Sequence, residues 1–130
     1  MRITEENYVT EAENVIKKLL GKNGAGAMVT TSQIRNILAM TSDIYNQVIN
    51  AKPSETLSDE ICSRIEYLKV RIVYECGRDG KEGKVRSFVE TADLLGNLKQ
   101  IGKSRKNFIL FCRYMEALVA YHRYHGGSDY

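Results

Sequence analysis

Apolar residues recur at three- and four-residue steps through most of the chain, the period of one face of an α-helix. The pattern is densest in residues 104–127, SRKNFILFCRYMEALVAYHRYHGG. There Phe108, Phe111, Cys112, Met115, Leu118, Val119 and His122 mark one ridge, and Leu110, Tyr114, Ala117 and Tyr121 mark a second, nearly opposite. A helix apolar on two sides is wedged between others rather than laid on a surface, so this segment is expected to be the central helix. Ser104 can accept a hydrogen bond from an amide one turn in, and Gly126 and Gly127 can take the left-handed stop.

Four further helices are expected before it. Thr4, Glu5 and Glu6 open the first, with Tyr8, Ala12, Val15, Ile16 and Leu19 on its inner face and an end near Gly21. Residues 21–27, GKNGAGA, read as a flexible connector; no GK[ST] ending follows, so a phosphate-binding loop is not indicated. The second helix opens on Thr30 and Gln33, the spacing of a capping box, and buries Ile34, Ile37, Leu38, Thr41, Ile44, Tyr45 and Val48. Arg35, Asn36 and Asp43 point elsewhere on it. A loop at residues 51–58 holds Pro53, the one proline, and ends it.

The third helix, about residues 59–77, turns Ile61, Ile65, Leu68, Ile72 and Cys76 inward. Along one flank Arg64, Arg71 and Arg78 recur every seven residues, with Tyr67 and Tyr74 between them. A fourth helix carries Val85, Phe88, Val89, Ala92 and Leu95 and runs to about Gly102. The expected architecture is all-α: a single-domain bundle of about five helices over residues 1–130, without strand alternation or internal repeat.

Composition alters this picture little. Forty-three per cent apolar and 27% charged residues suit a globular protein of 130 residues. No apolar run approaches the roughly 18–20 residues that span a bilayer, and the N-terminus lacks a secretory layout. Cys62, Cys76 and Cys112 are read as reduced buried thiols, which fits a cytoplasmic location. Charge changes the picture more. Residues 1–60 hold 6 Lys and Arg against 8 Asp and Glu, whereas residues 61–130 hold 13 against 8. A basic second half suits a polyanionic partner.

Evenly spaced guanidiniums can follow phosphates, and tyrosine rings can stack on bases. The competing reading of this arginine–tyrosine ribbon is a solvated flank paired with Glu75, both tyrosines lying in the core. A second basic cluster, Lys99, Lys103, Arg105 and Lys106, brackets the start of the last helix, where unpaired amides favour an anion. His122 and His125 are read as complements to a negative helix end, with no metal site; Cys112 sits where ionisation is disfavoured. No acid, base, nucleophile or ligand set indicates an enzyme or a cofactor.

Three stretches carry a family resemblance: TTSQIRNILAMTSDIY, RIEYLKVRIVYECGRD and FCRYMEALVAYHRYHGG. Together they resemble the small helical subunit of type III-A CRISPR effector complexes, the Csm family, from ENYV near the N-terminus to the terminal glycines. The resemblance implies a non-catalytic, RNA-binding subunit of an antiviral ribonucleoprotein. Copies would stack beside the guide RNA and its target RNA, while neighbouring subunits cleave the target and signal its presence. By motif match it implies RNA-binding roles for Arg35, Arg64, Lys69, Arg78 and Arg113, to which the ribbon and the basic cluster add Arg71, Lys103 and Arg105. Arg113 could instead brace a buried Glu116. The implied partners are guide and target RNA, other subunits of the complex and further copies of the chain, with no membrane. A helix-turn-helix regulator or a protein-only adaptor would share the small, helical, basic character.

Overall fold

A computed structural model describes residues 2–23 and 28–127. Six helices follow in order: α1 Tyr8–Asn23, α2 Thr31–Asn50, α3 Asp59–Arg78, α4 Lys84–Thr91, α5 Leu94–Ile101 and α6 Arg105–Tyr124. The described residues contain no strand, only one isolated antiparallel bridge between Thr56 and Ser104.

The helix starts are fixed by short polar side chains next to otherwise unpaired amides. Ahead of α1, the Thr4 hydroxyl accepts from Asn7 N at 3.1 Å while Asn7 Oδ1 accepts from Thr4 N at 2.7 Å. Thr30 and Gln33 form the same reciprocal box at α2. Ser58 caps α3 and Ser104 caps α6, accepting from Ile61 N and Asn107 N at 3.2 and 3.1 Å. α6 ends as its two glycines suggest: Gly126 takes φ 90°, and the amides of Gly126 and Gly127 reach back to Arg123 and His122. α1 runs to Asn23, past the expected stop at Gly21; residues 24–27 of the expected connector lie outside the described residues.

α6 is the central element and packs against α1, α2 and α5, with Phe108, Phe111, Cys112, Tyr114, Met115, Leu118 and His122 buried. Both of its ridges are therefore occupied, although Leu110, Ala117, Val119 and Tyr121 are only partly buried. α3 packs on the flank of this core, against α2, α4 and α5, and contributes Ile61, Ile65, Leu68 and Ile72 to it. Cys76, expected among them, is half-buried.

The expected fourth helix is two. Asp93 sits at φ 51°, ψ 48°, a left-handed conformation that ends α4 and redirects the chain into α5. Ala92 and Leu94, on either side of this turn, are both fully buried. Leu94 and Leu98 fill the core, and Leu95 is half-buried. Two contacts support the corner. The Ala92 carbonyl accepts from the buried Tyr114 hydroxyl at 2.9 Å. The Asp93 carboxylate lies over Gly96, where an added Cβ would come within 2.4 Å of it.

Two long-range ties position the polar surfaces of the molecule. The loop after α2 is stitched to the α5–α6 corner, Leu57 N donating to Lys103 O at 2.8 Å and Arg105 N to Glu55 O at 3.0 Å. Asp79, just past α3, accepts from Val85 N at 2.7 Å and from the Gln33 amide at 3.2 Å. It thereby caps α4, whose own N-cap is Gly83, and holds it to the start of α2.

Candidate nucleic-acid interface

On α3 the inward stripe leaves the opposite flank open to water. Arg64, Arg71 and Arg78 are all exposed. So are the tyrosines between them, Tyr67 at 61% and Tyr74 at 58%, which removes the reading that placed them in the core. Arg64 and Arg71 line a groove between α2 and α3 with Tyr67, Met40 and Asp43, and the Arg64 guanidinium hydrogen-bonds Gln47. Arg78, the last residue of α3, lies 3.5 Å from Glu75 and lines a second groove with Gln33 and Asn36. The Arg78 side chain is exposed while that of Glu75 is largely covered, so the guanidinium keeps donors open to another anion.

Lys69, half-buried, lies 3.5 Å from Glu66. Arg35 is exposed on α2 and lines neither groove. The ribbon also holds what the charge pattern did not reveal: Val70 and Val73 are 59% and 51% exposed beside the tyrosines. Four large apolar side chains on one helix face exceed the scattered exposure expected of a surface helix. Periodicity could have shown them, because neither valine belongs to the inward stripe.

The remaining candidate residues gather elsewhere. Lys103, Arg105 and Arg113 line one cleft of about 1210 Å³, together with Lys106, between the start of α6, residues 53–56 and the approach to α1. Arg113 is two turns from the start of α6, so residues 106, 109, 110 and 113 share a face, and that face meets Tyr8. Arg113 does not brace a buried carboxylate, because Glu116 is exposed. Lys99 is exposed and does not line the cleft. Within the cleft, Arg105 Nε is shielded from solvent and has no hydrogen-bond partner among the described residues. Glu5 lies 3.7 Å from Lys106, and Glu55 is the other acidic side chain in the lining.

The histidines have structural contacts. His122 is buried and donates from Nε2 to the Val29 carbonyl at 2.6 Å, while His125 Nε2 lies 3.1 Å from Glu13. His122 therefore does not complement the end of its own helix, contrary to the expectation from sequence. Burial pushes the Cys112 thiol up to about 12, with the nearby Glu116 charge acting in the same direction. Burial also raises Cys76, against the opposing charge of Arg86. No group of three or more potential metal-binding side chains occurs among the described residues, and no helix there is long and apolar enough to cross a membrane.

Comparison with known proteins decides the family. The family model for Csm2 of type III-A matches residues 4–128. The chain belongs to the Csm2 family. A Streptococcus thermophilus "CRISPR system Cms protein Csm2" is 42% identical over 127 residues, covering 98% of each chain. The Mycobacterium tuberculosis protein of the same description is 40% identical over 99% of each chain. The relative from Enterococcus italicus is 34% identical, over 98% of this chain and 87% of its own. The Csm2 match spans the residues of the α3 ribbon and of the α6 cleft alike.

Proposed function

We propose that the chain is a non-catalytic small subunit of a type III-A CRISPR ribonucleoprotein effector that stacks along the guide RNA–target RNA duplex and contacts its phosphate backbone. The observation that carries this reading is the α3 ribbon: three exposed arginines at seven-residue spacing, with exposed tyrosines between them, on one straight element. Guanidiniums set along a helix follow a phosphate track without reading bases, which suits a machine whose specificity comes from base pairing. Lys69 and Arg35 add charge on the same two helices, and the cluster at α6 adds more.

Copies arranged in a row each need two different faces, a contact that repeats without closing on itself. Val70 and Val73 supply apolar area suited to a protein neighbour within the ribbon's own face. On this reading residues 1–130 act as one cytoplasmic domain. Guide and target RNA, other effector subunits and further copies of the chain are its partners. The test is RNA binding by the assembled complex across a salt series, with wild-type subunit beside the Arg64→Ala/Arg78→Ala double variant. Equal affinity and equal salt dependence would refute the ribbon as the RNA surface.

A further inference from the structure

Ser63, Tyr67, Val70, Tyr74 and Gly77 lie exposed along the face of α3 that is turned away from the bundle. They follow one another at alternating steps of four and three residues. That is the a/d spacing of a heptad, with Tyr67 and Tyr74 at a and Ser63, Val70 and Gly77 at d. Arg64, Arg71 and Arg78 then all fall at e, and Asp59, Glu66 and Val73 at g, every one of them exposed. The seven-residue spacing of the arginines is therefore also the flank of a helix-pairing seam.

Two copies of this seam complement each other in one orientation only. In a parallel pair each g residue faces the next e residue of the other helix, so Asp59 faces the partner's Arg64 and Glu66 the partner's Arg71. An antiparallel pair would set arginine against arginine and carboxylate against carboxylate. The groups are available: Glu66 is mostly exposed despite its contact with Lys69, and Arg64 has further donors besides the one on Gln47. Arg78 meets no acid, since Val73 occupies the last g position, and it keeps its own Glu75. Glu60 falls at the first a position and would meet its own copy as a like charge. The contact therefore centres on Val70 and the two tyrosines.

We infer that free copies of the chain pair in parallel, related by a two-fold axis, through this outer face of α3. The seam is formed before the copies meet, because Ile61, Ile65, Leu68 and Ile72 already hold α3 to the bundle, and no ordering of the helix opposes association. Pairing two faces of a twenty-residue helix covers on the order of 1,000 Å² in total, the low end of specific interfaces, so the pair is weak and reversible. It is closed, each copy presenting the same surface, and so differs from an open row of stacked subunits. It covers Arg64 and Arg71, which makes pairing and phosphate contact mutually exclusive; this last point rests on the RNA-binding reading above.

Sedimentation velocity on the full chain at low salt, over a concentration series, reads the equilibrium. The wild-type chain should show a dimer that dissociates on dilution. Val70→Lys alters an exposed d position, so it should leave circular dichroism unchanged and weaken pairing by about tenfold or more. Glu66→Arg and Arg71→Glu should each weaken the homodimer. Mixed together they should pair as well as wild type, because each supplies the charge that the other has reversed. Glu60→Gln should tighten the pair by removing the like charge. An RNA duplex added to the wild-type dimer should convert it to RNA-bound monomers.

A wild-type chain that stays monomeric throughout overturns the pairing, and the RNA titration of the same sample reports separately on the ribbon. A dimer indifferent to Val70→Lys, or a mixture of the two charge variants that does not pair, overturns the α3 seam as its contact. Weaker pairing in Glu60→Gln overturns the parallel register. A dimer that binds the duplex without dissociating overturns the mutual exclusion, and with it the ribbon as the duplex contact.

Discussion

His122 Nε2 donates to the backbone carbonyl of Val29 at 2.6 Å, joining the C-terminal turn of α6 to the residue that precedes the Thr30 cap of α2. A carbonyl can only accept, so the proton lies on Nε2. Gly127 closes over the imidazole so tightly that an added Cβ would come within 2.2 Å of it. The terminal glycine of the helix stop thus also makes room for a buried side chain.

This clamp can be tested by stability. His122→Ala leaves the Val29 carbonyl without its donor and opens a gap under Gly127. The expected cost is about 2–4 kcal/mol, read as a lower midpoint in urea unfolding. Gly127→Ala should cost about 1–3 kcal/mol by overpacking, and combining the two should cost less than their sum because the clash disappears with the ring. Full additivity would show that the glycine and the imidazole do not interact.

Asp79 provides a second test, because it caps α4 from outside that helix. Asp79→Ala should destabilise the protein by about 1–2 kcal/mol, in the range found on removing an N-cap. Faster amide exchange should appear first in residues 85–87. Asp79→Asn keeps one acceptor oxygen and should recover most of the stability. An alanine variant with wild-type exchange in α4 would show that the cap contributes nothing.

The three thiols should differ in reactivity. Cys62 and Cys76 are partly exposed, whereas Cys112 is buried and its thiol is pushed up to about 12. A thiol-specific reagent at neutral pH should modify the first two in the folded chain and all three after unfolding. Alkali should also weaken the fold. The unfolded chain ionises Cys112 from about pH 8.5, while the folded state keeps it protonated to about 12. Its contribution is full below the first value and declines as pH rises toward the second, by at most about 1.4 kcal/mol per pH unit. Tyr114 acts in the same direction, its hydroxyl raised chiefly by burial. Cys112→Ala should flatten this alkaline decline, which urea titrations at several pH values would read.

For the ribbon, both arginines of the Arg64→Ala/Arg78→Ala variant are exposed, so each should cost under about 0.5 kcal/mol of stability. In the assembled complex the slope of log affinity against log salt should flatten by roughly one unit for each phosphate no longer neutralised. Slopes equal to wild type would count against phosphate binding at either position.

The amino-acid sequence by itself determined whatever depends on neighbours a few residues apart. Caps at Thr4, Thr30 and Ser104 and the glycine stop of α6 use groups within about one turn. One-face periodicity predicted the centres of the buried stripes of α2, α3 and α6, while Leu38, Tyr45, Cys76 and Val119, expected in them, are only partly buried. The resemblance carried by three of those stretches gave the family. The tertiary structure decided what depends on distant partners. The bend at Asp93 requires a left-handed residue that the apolar pattern runs straight through, and its freed carbonyl is met by Tyr114 from another helix. His122 suits a helix end when read along the chain, yet its acceptor lies 93 residues away. Arg113 joins Lys103 and Arg105 only because α6 runs past residues 53–56 and Tyr8. Local hydrogen bonding and side-chain period are properties of a short segment, whereas the direction of a helix and the neighbours of a buried group are fixed only when all segments pack.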